Sequence, residues 1–531
     1  MKYSIPLLTA LTTIALAETL LVPSQYPSIQ NAINAAQDGD TVLVSPDEYE
    51  GPINFEGKNI VVSSTAGAGS TLIRTSRNYH CVSIAGGQDS TAVLEGFTVS
   101  NQVSDNEVSR DTIGCGGGLY IVNASPTIRN NIITDCVAES QGGGLFLENS
   151  STLMSGCIIS NNTAMFSGGV SALSCGKLDH PLRIIDCTIT GNQSTDMAGG
   201  LSCNSSSSIV IINNYISDNY TYLSGGGILL NYTNALLFGN TISGNDAFDG
   251  GGISIRHSEP TIIGNIIVRN TADYGAGIYQ LSGLFEHLEN NTIANNAASV
   301  RGGGLLCKDG SISIVNSILW GNIAPTGSQI LMDNADVSVE YCDVEYGEDS
   351  VYNFASSTLN WGPGNIDIDP EFETGPFGDY HLPWGTPCVD AGNPASEYND
   401  PEDPFNPGYA LWPAMGLIRN DMGAFGGGGV DYWLSVEEEE LSPTENGLPL
   451  KSFPNPFSSS CTVCYQLDEA SQVVLQVFDL SGRLVETLVD KAVPSGMHSE
   501  HFDGSGLCPG VYLIRLVAVD VSTSRRCIVL R

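Results

Sequence analysis

Apolar and polar residues alternate along most of this chain in short runs, and each run predicts a β-strand because a period of two puts every second side chain on the same face. The runs recur. From residue 116 there are eight copies of a small-residue turn followed by an apolar run: Gly116-Gly117-Gly118-Leu119, Gly142-Gly143-Gly144-Leu145, Ser167-Gly168-Gly169-Val170, Ala198-Gly199-Gly200-Leu201, Gly225-Gly226-Gly227-Ile228, Gly250-Gly251-Gly252-Ile253, Gly275-Ala276-Gly277-Ile278 and Gly302-Gly303-Gly304-Leu305. Their last glycines lie 26, 25, 31, 27, 25, 25 and 27 residues apart. A second column, Ile133, Ile159, Ile189, Ile216, Ile242, Ile267, Ile293 and Leu319, keeps the same beat. A third follows three residues later: Cys136, Asn162, Asn192, Asn219, Asn245, Asn270, Asn296 and Asn322. The one long interval, around Cys175 to Pro181, predicts an inserted loop.

A period near 26 with two or three short strands is too short for a helix-pair repeat and suits one turn of a parallel β-helix. Equivalent residues in successive turns then stack one strand spacing apart, about 4.8 Å. The isoleucines become an aliphatic core column. The asparagines become a ladder of side-chain amides, each donating to one neighbour and accepting from the other while the chain turns between strands. Glycines at the other corner permit positive φ where the wall bends.

The alternation of Gly-Gly-apolar and Ile-x-x-Asn resembles the right-handed β-helix repeats of the pectin-lyase-like superfamily and, more closely, those of polymorphic outer-membrane-type surface proteins. The resemblance spans residues 18–430. Val22-Pro23-Ser24-Gln25-Tyr26-Pro27 and the apolar spacing from Ile29 to Ala36 are similar to the short helix that caps the N-terminal end of such solenoids. Asp367-Ile368-Asp369-Pro370, Asp379-Tyr380-His381-Leu382, Pro387-Cys388-Val389-Asp390 and Asp421-Met422-Gly423-Ala424-Phe425 resemble a C-terminal cap.

Residues 431–448, with Glu437 to Glu440 and Ser442-Pro443, read as an acidic linker. Beyond it, Phe453-Pro454-Asn455-Pro456-Phe457 opens a domain with an extended segment, and Val473–Asp479, Gly510–Leu516 and Arg526–Arg531 read as strands separated by turns such as Leu480-Ser481-Gly482-Arg483. Residues 449–531 resemble the type A C-terminal sorting domain of the type IX secretion system, which implies a small immunoglobulin-like β-sandwich and the type IX machinery as a partner. The expected fold class is therefore all-β: a right-handed parallel β-helix solenoid followed by that sandwich.

Composition adds a compartment. Met1-Lys2-Tyr3, the apolar run Ile5 to Leu16 and Ala15-Leu16-Ala17 fit a signal peptide over residues 1–17, and no other run is long and apolar enough to predict a membrane-spanning helix. The expected destination, through the periplasm, is the cell surface or the medium. Twenty Lys plus Arg against 58 Asp plus Glu give a net charge of -38, which repels a phosphate backbone and sets nucleic acid aside. Fourteen cysteines in an exported chain permit disulfides. Cys157 and Cys187 share one column and read as stacked thiols; Cys342 with Cys388, and Cys461 or Cys464 with Cys508 or Cys527, are the better bridging candidates.

No strong catalytic set stands in the repeat. Asp246, Asp249 and Asp273 recur at one corner with Arg256, Arg269 and Arg301 near them, the residue types a Ca²⁺-dependent, pectate-lyase-like reaction needs to gather calcium and remove an α-proton. Acidic surface turns are also ordinary. Tyr222, Phe248 and Tyr274 repeat at intervals of 26 beside that corner, with Phe166 extending the line, and such rings either stack on sugars or cover the turn. The expected function is an exported, non-catalytic adhesion or carbohydrate-binding protein whose partner is a polysaccharide or cell-surface glycan, with polysaccharide lyase as the alternative. No cofactor is expected with certainty; calcium is the one candidate.

Overall fold

A computed structural model describes residues 17–427 and 450–529, apart from 76–78, 102–113, 178–179, 284–285, 355, 376–377, 403–406, 411–413, 454–459, 468–469, 480–483, 508–509 and 519–520. The expected signal peptide and acidic linker lie almost wholly outside these residues, as do the Leu480 to Arg483 turn and Cys508.

Each coil of the solenoid visits three walls. The first holds fourteen parallel strands, from Thr19–Val22 to Thr358–Trp361. The second holds twelve, from Ile53–Asn54 to Val351–Phe354, and the third twelve, from Glu48–Glu50 to Asp343–Val344. The middle coils add a ribbon of six short strands between the third wall and the second: Thr163–Phe166, Gln193–Met197, Tyr220–Thr221, Asp246–Asp249, Thr271–Tyr274 and Ala297–Arg301. The expected isoleucine column lies on the third wall, from Ile133 to Leu319, and all eight side chains are fully buried. Burying each one stabilises the coil by roughly 1.5–3 kcal/mol. At the start, Ile29–Ala35 forms the expected capping helix, with Ser28 Oγ accepting from the Asn31 N–H at 3.2 Å and Ile29, Ala32 and Ile33 packed onto the core.

The asparagine ladder runs unbroken from Asn162 to Asn322. From Asn192 to Asn322 each Oδ1 accepts both the backbone N–H and the Nδ2–H of the asparagine one coil earlier, as Asn245 does from Asn219 at 3.0 Å. Each Nδ2 also donates to a carbonyl of the preceding coil, as Asn245 does to Ile216 O at 2.9 Å. The residue before each rung turns the corner at positive φ, for example Asp218, Gly244 and Arg269. At the glycine corner only the first residue of each triplet has positive φ, and Ser167 and Ala198 adopt it too. The second and third glycines serve close packing instead: a Cβ on Gly227 would stand 2.7 Å from Gly252 O and 3.1 Å from Asn245 Nδ2.

The described residues between 366 and 427, which hold the stretches expected to form the C-terminal cap, lie along the side of the solenoid. They fold back over the outer face of the third wall, where Tyr380 packs on Ile266, Val268 and Ala294, and Leu382, Cys388 and Met422 pack on Ile318. Asn290 Nδ2 donates to Asp421 O at 2.8 Å, and Thr292 Oγ1 accepts from the Ala424 N–H at 3.0 Å. Two outward columns on that wall carry apolar side chains, Ile266 and Ile318 in one and Val268, Ala294 and Trp320 in the other, and the strap covers them.

Inside the strap two buried carboxylates, Asp400 and Asp421, face each other with no cation beside them among the described residues. Asp400 accepts from the Asp421 N–H at 3.1 Å and from the Gly427 N–H, while Asp421 accepts from the Asp390 and Met415 N–H groups at 2.7 and 2.6 Å. Burial, with the neighbouring carboxylates of Asp421 and Asp390, holds Asp400 above the usual carboxylate range; burial likewise raises Asp421. Raised folded values mean the protonated forms are favoured in the docked strap. Its docking is therefore fully stabilised below about pH 4, where the unfolded carboxyls are also protonated, and weakens as the pH climbs through the raised values. Amide exchange across residues 388–427, corrected for intrinsic rate, should be slower at pH 5 than at pH 9, and Asp400→Asn should flatten the difference. A profile independent of pH would show that the pair does not hold the strap.

The C-terminal residues form two antiparallel sheets. One contains Leu450–Phe453, Ser460–Leu467 and Gly496–Asp503; the other Leu484–Val493, Ser471–Asp479, Gly510–Ala518 and Val521–Val529. They close on a core of their own that includes Val463, Leu475, Phe502 and Ile514.

None of the bridging candidates among the described cysteines forms a disulfide. Cys342 points into the solenoid and donates to Glu340 O at 3.2 Å, whereas Cys388 sits outside the third wall and donates to the Asp343 carboxylate at 3.1 Å, so the wall itself separates them. Cys461 and Cys527 are buried in the sandwich core without a disulfide, and Cys464 is in no disulfide either. Cys157 and Cys187 are stacked thiols as expected, the Cys157 N–H pointing at Cys187 Sγ at 3.4 Å.

Candidate functional site

The ribbon presents the sequence-derived candidates. Its alternate residues Ala164, Ser194, Thr221, Ala247, Ala272 and Ala298 point inward and are buried, so their neighbours face outward. Tyr222 is 62% exposed and Phe248 45%, and neither covers a turn. The interval of 26 that suggested a single line of rings is not the register. Ala247 pairs with Ala272 and Asp249 with Tyr274, so Phe248 stands opposite Asp273, and Tyr274 belongs to the adjoining column with Asp249 and Arg301. The coil holding Tyr222 carries an extra residue: Tyr222 and Leu223 together fill the space opposite Phe248, between the paired positions Tyr220 and Asp246 and Ser224 and Asp249. Phe166 falls in the column of Tyr274 through Met197 and Ser224 and does not extend the Tyr222 line. The rings meet in two edge-on pairs instead, Tyr220 with Tyr222 at 5.4 Å and Phe248 with Tyr274 at 5.3 Å between centroids.

The three aspartates have separate partners. Asp246 accepts from Thr271 Oγ1 at 2.7 Å, and Asp273 accepts from Ser299 Oγ. Asp249 pairs with Arg256 at 3.0 Å, and the same guanidinium donates to Ser224 Oγ at 2.5 Å. Burial raises the Asp249 carboxyl above its ordinary range; Arg256 opposes that shift and Asp273 adds to it. Asp246 and Asp273 line one shallow, open concavity of about 350 Å³ with Thr271 and Ser299, while Asp249 turns away toward Arg256. Among the described residues no three His, Cys, Asp or Glu side chains come together as a metal-holding set, and these aspartates do not fit a calcium ion. His257 and His287 lie apart in role as well, His257 stacked on Tyr232 at 4.7 Å and His287 beside Glu289 at 3.6 Å.

Two features escaped the sequence reading. A second ladder turns the corner between the first and third walls through Cys157, Cys187, Asn214, Asn240, Asn265, Asn291, Ser317 and Cys342, each N–H bonding the polar atom of the next rung. The second wall ends in two exposed rings, Tyr352 and Phe354, outside the detectable repeat.

Residues 163–319 match the family described as Right handed beta helix region. Residues 451–530 match the Secretion system C-terminal sorting domain. The comparison with curated proteins gave no match. The chain thus joins a right-handed β-helix region to a C-terminal sorting domain of the type IX secretion system, and that domain directs it to the cell surface or beyond.

Proposed function

We propose that this exported β-helix binds an extended glycan without cleaving it, along the outer face of the ribbon. The observation that carries this reading is the exposure of Tyr222 and Phe248 on neighbouring coils beside the concavity of Asp246, Thr271, Asp273 and Ser299. Large rings left in water on a rigid wall lose burial that the rest of the coil obtains, and they offer flat apolar faces one rung apart, about 4.8 Å, comparable to the advance of a sugar chain. The adjoining carboxylates and hydroxyls supply hydrogen-bond partners for sugar hydroxyls. Placing the boundaries of the binding part at residues 18–430 and of the sorting part at 449–531 belongs to the same proposal.

On a polysaccharide array, the Tyr222→Ala/Phe248→Ala variant should lose at least tenfold in apparent affinity with an unchanged melting temperature. Unchanged affinity would overturn the reading. Lyase activity is the competing reading, and one observation favours it: Asp249, its carboxyl raised by burial, lies beside Arg256 and near Asp273, an acid and base pairing in outline. Absorbance of unsaturated products from uronic polymers incubated with Ca²⁺ should stay at baseline. Robust turnover abolished by Asp249→Ala would establish the enzyme instead.

A further inference from the structure

The outer face of the second wall continues past the last ribbon strand. Its floor is Tyr279, Leu306 and Leu331, which point outward yet are buried, with Tyr274 and Leu281 packed against them. The terminal strand breaks that pattern. Tyr352 stands in register above Leu331 and Phe354 above Asp333, and these two rings are 45% and 39% exposed. They stack with centroids 6.4 Å apart and planes inclined by 26°. The Arg301 guanidinium lies over the Phe354 ring at 5.1 Å.

Among the described residues Arg256, Lys308 and Arg301 lie along this face, and two of the three are neutralised. Arg256 pairs with Asp249 at 3.0 Å and Lys308 with Asp333 at 3.7 Å. Arg301 meets no carboxylate among the described residues; its contact is the face of Phe354. In a chain of net charge -38, an unneutralised guanidinium beside two exposed rings is a local exception with a definite complement: an apolar ring that carries a negative charge.

We propose that Arg301, Tyr352 and Phe354 form a second subsite for the same glycan, in which Tyr352 and Phe354 take a sugar ring and Arg301 its anionic substituent, a carboxylate or a sulfate. The inference rests on the glycan-binding reading. Five coil intervals separate Tyr222 from Tyr352, about 24 Å at one strand spacing each, so the bound chain must be long enough to reach both ends.

Titration of the mature full chain with neutral, uronic and sulfated oligosaccharides of increasing length tests this. Affinity should rise with length up to about six sugar units, set by the number of rungs spanned, and at full length one of the anionic series should bind tighter than the neutral one. Arg301→Gln should lower affinity for long anionic chains about tenfold at low salt, with a smaller loss at high salt where the charge is screened. Tyr352→Ala/Phe354→Ala should lose the length dependence, and its melting temperature reports whether the coil still stands. If Tyr222→Ala/Phe248→Ala abolishes binding while the Arg301 and Tyr352/Phe354 variants bind every length like the parent, the second subsite is wrong and the glycan reading survives. If no variant changes binding, both fall. Equal affinity for neutral and anionic chains, or a concentration-dependent dimer lost in Tyr352→Ala/Phe354→Ala, would also overturn the subsite.

Discussion

Asn245→Leu is expected to destabilise the solenoid by on the order of 4 kcal/mol, although leucine has nearly the same volume and the site is fully buried. The carboxamide joins three coils. It accepts from Asn219 N–H and Nδ2–H at 3.0 Å each, and donates to Ile216 O at 2.9 Å and Asn270 Oδ1 at 3.0 Å. Leucine leaves two donors on Asn219 facing hydrocarbon, each orphaned group costing roughly 1–3 kcal/mol. Its branched carbon must also fit against Gly227, where even an added Cβ would stand 3.1 Å from the present amide. Because coils contact only their neighbours, the loss should spread as cooperative unfolding of adjacent turns. The denaturation midpoint measures it, with Asn231→Ala as the comparison: that half-buried amide makes a 3.3 Å bond to Asn204 in an outer ladder and should matter by less than about 1 kcal/mol. Equal effects at the two sites would mean the inner ladder does not hold the corner.

Deleting residues 449–531 should leave the chain in the periplasm. The deleted part has its own two sheets and its own core, with Val463, Leu475, Phe502 and Ile514 buried together, so its removal need not disturb the coils. Fractionation should find the truncated chain inside the outer membrane, with the melting temperature of the solenoid retained. Fusing residues 449–531 to a stable periplasmic reporter should carry the reporter outward. Normal surface delivery of the truncated chain would refute the sorting role.

How much of this was legible follows from what a column looks like in one dimension. The isoleucine and asparagine columns of the third wall use one residue type per rung and announce themselves. The second ladder does the same work with Cys157, Cys187, four asparagines, Ser317 and Cys342. It is invisible as a residue type because Sγ, Oδ1 and Oγ all serve as acceptors. The aromatic line misled because equal intervals in sequence are equal rungs only when coils have equal length. Leu223 lengthens one coil, and the following step, from Asp246 to Thr271, is 25 residues. Fourteen cysteines in an exported chain suggested bridges, yet whether a side chain lies inside or outside a wall, as with Cys342 and Cys388, depends on register. The strap has no period, so nothing in its sequence tells that it lies on the side of the third wall. Tyr352 and Phe354 were hidden for a related reason: the last coil has lost the glycine and asparagine marks.

The proposed glycan-binding surface is the ribbon side of the β-helix. Hydrogen–deuterium exchange of the mature chain with and without the polysaccharide selected on the array tests it most directly. Protection should concentrate in residues 220–224, 246–249 and 271–274 and extend to 351–354 for long chains. Protection confined to the first wall or the strap, or none at saturating polysaccharide, would contradict it.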